Sequence, residues 1–384
     1  MNADDAGGQS FSARIGNGVS TIDADQWDAC AGPDNPFVSH AFLAALELSG
    51  SASALAGWQP VPILIEQAGI LSGALPAYIK SHSQGEYVFD HSWADAWTRA
   101  GGSYYPKLQI AVPFSPVPGP RVLAHDAITA HKLIVAAQAL VDQNGLSSGH
   151  ATFVSADQLE HFRGADWLIR EGIQYHWSNA GYATFDDFLG ALSSRKRKAI
   201  RKERAAAQSG LTIRHISGAD ITEAHWDMFW HFYQDTGARK WGRPYLTRDF
   251  FSLIGKNMAD RLLLFMAERD GVPIAGALNL IGSDTLYGRY WGCSEDVPFL
   301  HFELCYYQAI EVAIALGLVR VEAGAQGEHK LARGYVAVPT WSAHYIADPG
   351  FRDAIAEFLA RERRSVERDI AFLGELAPFK KQAR

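Results

Sequence analysis

The richest chemistry in this chain lies in one short stretch, Glu322-Ala323-Gly324-Ala325-Gln326-Gly327-Glu328-His329-Lys330-Leu331-Ala332-Arg333-Gly334. Acid, amide, imidazole, ammonium and guanidinium groups follow a short apolar run, Val319–Glu322, that reads as a strand. Loops leaving strand ends in α/β proteins are where ligands collect. Gly324 and Gly327 free the backbone to point N–H groups at an anion or a developing oxyanion. Glu322 and His329 are candidate proton acceptors, Gln326 a substrate contact, and Lys330 and Arg333 anion holders. A solvated turn with surface charges is the competing reading, and Glu328 fits it best. A second group is Tyr287-Gly288-Arg289-Tyr290-Trp291-Gly292 with His301-Phe302-Glu303 beyond it. An arginine between aromatics on a strand either pairs with a carboxylate or binds a ligand. Tyr287, Arg289 and Trp291 are therefore candidate substrate contacts, and His301 and Glu303 candidate catalytic groups.

In the first half, Glu86 to Trp93 and Tyr104-Tyr105-Pro106-Lys107 mix acids, a lysine and aromatics. Asp90, Trp93, Tyr105 and Lys107 suit a wall that binds an amine, a carboxylate holding the cation and rings its chain. Asp90 is equally placed to cap the helix that follows it. The run Arg195 to Arg204 carries seven basic residues and one acid. That density, with Arg197 and Arg201 within it, suits the phosphate of a nucleotide-bearing cofactor, a tRNA or an anionic lipid surface.

Several chemistries are excluded. The chain has no Gly-x-Ser-x-Gly elbow, P-loop, dinucleotide fingerprint or His-Glu-x-x-His. Its cysteines, Cys30, Cys293 and Cys305, form neither a paired framework nor metal-ligand spacing, so no metal is expected. Cys305 falls on a buried helical stripe, whereas Cys293, after Gly292, is a candidate nucleophile.

The elements that would carry these residues repeat. Val61–Glu66, Gly69 and Gly73-Ala74-Leu75, then Glu86–Asp90, match Leu262–Glu268, Gly271 and Gly276-Ala277-Leu278, then Leu286–Gly292. Each set predicts a hairpin followed by a third strand. Helices are expected over Pro36–Leu48, Ala127–Val141, Phe185–Gln208, Ile221–Gln234, His301–Leu316 (with Gly317 as its stop) and Phe351–Leu373. Further strands are expected at Leu108–Val112, Ala151–Val154 and Gln174–Asn179. Alternation of strands and helices predicts an α/β fold of mixed, mostly antiparallel sheets flanked by helices. A loose lead-in over 1–30 precedes two duplicated domains, 31–180 and 181–384, the second closing on an amphipathic helix.

With 384 residues, 48% of them apolar, the chain is large enough for two cores. The formal charge of −7 argues against a general nucleic-acid coat. The acidic start lacks the basic-then-apolar order of a signal peptide, and no apolar run is long enough to span a bilayer. These features predict a cytoplasmic protein, with contact at the inner membrane face left open.

At these stretches the chain resembles the FemAB-like branch of the GNAT acyltransferase superfamily. The matching segments run from Pro36-Phe37-Val38-Ser39 through Gly57-Trp58, Gly85 to Trp93, Tyr104 to Leu108, His176 to Asn179, Arg195 to Arg204, Leu286 to Gly292 and Leu300 to Tyr307, to Gly324–Gly334. The resemblance implies two GNAT-like domains in tandem and direct acyl transfer to a primary amine. It implies acyl-CoA as donor, with a long-chain, sphingoid-type amine as one acceptor giving a ceramide-like amide. A Fem-type transfer from aminoacyl-tRNA to a peptidoglycan precursor, and a non-catalytic envelope-binding module, are the alternatives. The pyrophosphate loop of typical GNAT enzymes is not visible between Trp291 and Phe302, and neither is the helical arm that Fem ligases use near tRNA. In such a transfer His329 or Glu322 would take the amine's proton, with Glu303 in reserve. Arg289, Lys330 and Arg333 would bind phosphate or polarise the carbonyl. Backbone N–H groups of Gly324–Gly327 or Tyr290–Gly292 would hold the oxyanion.

Overall fold

A computed structural model describes residues 11–240, 244–324 and 327–380. The first half of the chain supplies β1 (Phe11–Ile15), α1 (Ala24–Ala31), α2 (His40–Leu48), β2 (Trp58–Pro60), β3 (Ile63–Gln67), β4 (Ile70–Leu75), β5 (Ala77–Lys80) and α3 (His91–Arg99). It continues with β6 (Lys107–Ile110), β7 (Leu123–Ala124), α4 (Ala127–Gln143), β8 (Ser148–Val154), α5 (Leu159–Gly164) and β9 (Leu168–Ser178). The second half supplies α6 (Phe185–Ala191), α7 (Ser194–Gln208), β10 (Thr212–Ser217), α8 (Glu223–Lys240), α9 (Arg248–Asn257), β11 (Leu262–Arg269), β12 (Val272–Ile281) and β13 (Thr285–Cys293). Then come α10 (Leu300–Phe302), a π-helical turn (Glu303–Tyr307), α11 (Gln308–Ala315), β14 (Arg320–Glu322), β15 (Val336–Ile346) and α12 (Pro349–Glu375).

Both expected hairpins form, and by the same local device. Ala68 and Gly69 have φ of 51° and 80°, and Asp270 and Gly271 have 50° and 79°. Two successive positive φ values make the type I′ turn whose twist matches flanking strands. Gly73 then faces Ile65, and Gly276 faces Met266. A Cβ on Gly73 would lie 2.7 Å from the Thr129 side chain of α4, and one on Gly276 would lie 2.9 Å from Phe229 of α8. Each glycine lets a helix sit directly on the hairpin.

The hairpins enter different sheets. β1-β3-β4-β7 form a small sheet, and the other eleven strands form one continuous sheet ordered β10-β11-β12-β13-β14-β9-β15-β8-β6-β5-β2. Apolar residues on its two faces alternate: Leu264 and Leu278 pack under α8 and α9, and Phe265 and Ala277 pack under α6 and α11. At its centre the last strand of each half crosses over. β9 lies beside β14, β15 lies beside β8, and the two pair antiparallel from Val336↔His176 to His344↔Leu168. That register places His176 and His344 at matching positions, one facing Glu322 and the other His150.

Two expectations are corrected. Glu86–Asp90 is a loop, and the third strand of the first repeat is β6, paired with β5. Gly85 and Tyr87 take φ of 80° and 60°, incompatible with a strand, while Glu86 and Asp90 turn inward onto the Lys107 ammonium. The helix expected over 185–208 is broken at Leu192 and Ser193, which are extended; Leu192 bridges to Phe379.

Candidate functional site

β13 and β14 run parallel for only three pairs, Thr285↔Arg320, Leu286↔Val321 and Tyr287↔Glu322, after which β14 ends and β13 continues alone. A bulge in the β12–β13 ladder pairs Leu278 with Tyr290 and Asn279 with Gly288, leaving Arg289 as the extra residue. The π-helical turn packs opposite. Such turns accumulate at functional sites, where the extra residue redirects side chains. A cavity of ≈ 90 Å³ remains, lined by Asn279, Gly288, Arg289, Trp291, His301, Cys305 and Tyr306 among others. Arg289 reaches back to donate from Nη2 to the Phe114 carbonyl at 2.9 Å. The Tyr306 hydroxyl lies 2.8 Å from Nε2 of His329. A second opening of ≈ 300 Å³ shares Trp291 and His301 and adds Cys293, Glu295 and Asp296.

Beneath this splay stands a polar chain along β9. Gln174 donates from Nε2 to the Pro116 carbonyl at 2.9 Å, which fixes its amide orientation. Its Oε1 lies 3.1 Å from His176 Nε2, so that nitrogen carries the proton. His176 Nδ1 is therefore a lone pair, 3.7 Å from Glu322 Oε1. Burial keeps the imidazole neutral, lowering its pKa to about 3. Glu322 is only 5% exposed, and its Oε2 has no hydrogen-bond partner. Burial drives its pKa up to about 8 against the pull of Arg320 and Arg289. A carboxyl so tuned exchanges its proton near neutral pH, as a general base must.

Gln174 also lines a cleft of ≈ 270 Å³ with Tyr87, Val88, Phe89, Phe153, Arg170, Thr340, Trp341, Ser342, Glu362 and Val366. Arg170 is clamped there by Glu362 at 2.8 and 2.7 Å and by the Phe89 carbonyl at 2.8 Å. Tyr87, on the rim, sits close enough to Arg289 for the guanidinium to oppose the burial that raises its pKa to about 12. Tyr87 of the cleft and Arg289 of the splay therefore lie near each other, and Gln174 links the cleft to His176 by its hydrogen bond.

The other expected residues are placed as follows. His329 is exposed at the end of its bond to Tyr306. Lys330, 1% exposed, donates to the Gly324 carbonyl at 2.7 Å, and burial lowers its pKa to about 7. Arg333 lies 3.4 Å over the Phe302 ring and pairs with Glu203 at 2.9 Å. Gly324 and Gly327 take φ of 76° and 120°, and Gln326 lies outside the described residues. Glu303 is 0% exposed, its carboxylate taken by Arg204, Gln208 and Gln308. His301 packs edge-on to Trp291, and Tyr287 packs edge-on to Phe37. On α7, Arg201 is exposed and bonded to Asp186, and Arg197 is half-buried.

Asp90, Trp93 and Lys107 lie elsewhere, in the first half's counterpart of the site. Lys107 Nζ, 0% exposed, donates to Ser83 at 2.9 Å, Glu86 at 2.8 Å and Asp90 at 2.5 Å. Asp90, held well below the usual carboxylate range by Lys107 against its burial, also accepts from Tyr104. Tyr104 leads on to His150, and His150 Nδ1 meets His344 Nδ1 at 2.6 Å. Tyr105 bonds Ser83 and borders a separate opening with Pro106. Here the splay is closed: beyond the parallel pairing of β6 with β8, Gly119 bonds Phe153 and Ser155 along the β8 edge. Buried Arg121 donates to the Thr152 and Val117 carbonyls and fills the gap.

Sequence reasoning missed Gln174, Tyr306 and Asn279, and gave His176 no role of its own. No local pattern marks them, because the Pro116 carbonyl, His329 and the Leu263 carbonyl that they meet lie far from them along the chain. Among the described residues, no group of three or more His, Cys, Asp and Glu is arranged to hold a metal, and no helix is long and apolar enough to cross a membrane.

Residues 18–381 match the FemAB-like family, described as peptidoglycan biosynthesis/recognition. No curated protein matches the chain in sequence. Among solved structures, FemX is similar at 13% identity and a TM-score of 0.55, over 87% of this chain and 98% of its own. The C-terminal domain of a protein described as a lysylphosphatidylglycerol synthetase, from Agrobacterium fabrum, is similar at 11% identity and a TM-score of 0.51, over 89% and 96%. A tandem GNAT protein from the clavulanic acid biosynthesis pathway follows at 11% identity and a TM-score of 0.43, over 88% and 99%. The fold is thus like that of FemX, with mixed, mostly antiparallel sheets flanked by helices.

Proposed function

The chain belongs to the FemAB-like family, and on that premise we propose that it transfers an acyl group from an acyl thioester to a primary amine, in the splay between β13 and β14. The observation that carries this reading is the buried Glu322 carboxyl, beside the neutral imidazole of His176, at the strand end where β13 and β14 part. The first half, with its splay filled by Arg121 and the 117–121 segment, acts as scaffold.

In this reading the thioester carbonyl lies in the splay and the amine enters from the Tyr87–Phe89 cleft. An alkyl amine with a pKa of about 10 must lose a proton to attack, so a base is required. The ammonium gives one proton to water as it enters, the neutral nitrogen attacks the carbonyl carbon, its second proton passes to the Glu322 carboxylate, and the oxyanion is met by Arg289 and backbone N–H groups of the bulge. Collapse breaks the C–S bond. The departing thiolate takes the proton of Tyr306, which His329 restores.

The cleft pairs Gln174, Thr340 and Ser342 with Tyr87, Phe89, Trp341 and Val366, which supports an amine with an apolar chain, such as a sphingoid base. The exposed basic face of α7 (Arg195, Lys198, Lys202) favours a phosphorylated donor. It equally supports the second reading, an aminoacyl-tRNA donor with a peptidoglycan precursor as acceptor. Incubation with acyl-CoA of graded chain length and a panel of amines, sphingoid bases included, should yield an amide detected by mass spectrometry. Product only from aminoacyl-tRNA with a peptidoglycan precursor would transfer the assignment to the second reading. No product from either donor would reject transfer altogether.

A further inference from the structure

Asn279, on β12, is 1% exposed and lines the splay cavity. Its Nδ2 donates to the carbonyls of Leu263 and Ala277, each at 3.3 Å. Only an amide nitrogen can face two carbonyls, so the side chain cannot be flipped and Oδ1 must point the other way. That oxygen has no partner. Opposite it is Gly288, where a Cβ would come within 3.4 Å of Oδ1, so the oxygen is buried against bare glycine backbone at the edge of the cavity. An acceptor buried without a partner weakens a fold and calls for an explanation. An apolar residue would serve better here if packing were the whole purpose, since Ala275 and Ala277 on the same strand join the apolar core.

We propose that Asn279 is a positioning residue whose Oδ1 accepts a hydrogen bond from an N–H of the ligand in the splay. This rests on reading the splay as the transfer site. Two sources supply such an N–H: a secondary amide in the arm of the thioester donor, or the attacking amine. Contact to an arm amide fixes the depth at which the carbonyl stops; contact to the amine fixes its line of attack. In both cases the oxygen discriminates against ligands lacking an N–H at that point.

The test compares wild type with Asn279→Leu and Asn279→Ala by calorimetric titration against three probes, with thermal melting alongside. Coenzyme A carries two secondary amides, adenosine 3′,5′-bisphosphate carries none, and dodecylamine supplies the amine. One hydrogen bond corresponds to a loss of about 3- to 10-fold in affinity. An arm contact predicts that loss for coenzyme A alone, and an amine contact predicts it for dodecylamine alone. The melting temperature of Asn279→Leu should hold or rise, because the orphaned oxygen is removed. Unchanged affinity for coenzyme A and dodecylamine would overturn the assignment. So would a lowered melting temperature with affinities intact, which would mark Asn279 as only a tie between β11 and β12. Wild-type protein that binds none of the probes would reject the thioester reading as well, a pattern distinct from either.

Discussion

Replacement of Glu322 by glutamine tests the site through two independent readouts. The buried carboxyl has its pKa raised to about 8 from an ordinary 4.5. Between those values the folded protein keeps a proton that the unfolded chain has released, so stability falls as pH rises through this window and is level below it. At about 1.4 kcal/mol per pH unit, burial of this group costs about 3 kcal/mol at pH 7. Glutamine has nearly the same shape and no proton to lose. Urea unfolding should therefore find the two proteins alike near pH 4.5, with the variant pulling ahead as pH rises and leading by about that amount at pH 7. Activity should move oppositely. Wild-type turnover should rise with pH toward and past 8 as the carboxylate forms, and the variant should lose 10²–10⁴-fold, the usual range for a general base. A variant with wild-type turnover, or one whose stability follows pH as the wild type does, would refute the reasoning.

Tyr306→Phe removes the proton donor of the leaving group while leaving the ring packing, and should lower kcat at least tenfold with KM little changed; steady-state kinetics decide. Lys107→Met strands the buried carboxylates of Glu86 and Asp90 and should cost about 3–5 kcal/mol, read from the urea midpoint. Cys293→Ala should retain full activity, and an acyl-enzyme seen by intact-protein mass spectrometry after donor alone would contradict direct transfer.

Local chemistry was enough to fix the two hairpins: Ala68-Gly69 and Asp270-Gly271 permit one tight turn, and the flanking strands follow from apolar patterning. The helix ending at Gly317 and the strand up to Glu322 were legible for the same reason, since caps and periodicity act within a few residues. Glu322 could be picked out as chemistry, but its neighbour could not. His176 reaches it only because β9 leaves its own half and pairs with β14. The loop at Glu86–Asp90 misread as a strand has the same origin: Lys107, distant along the chain, draws both carboxylates inward. Sequence also could not tell an open splay from a filled one. Closure depends on where Gly119 and Arg121 return against β8, and opening depends on a one-residue bulge beside Arg289. Short-range sterics and hydrogen bonding write the elements into the chain. Burial, which sets the protonation of Glu322 and orphans the oxygen of Asn279, exists only once distant strands have closed around them.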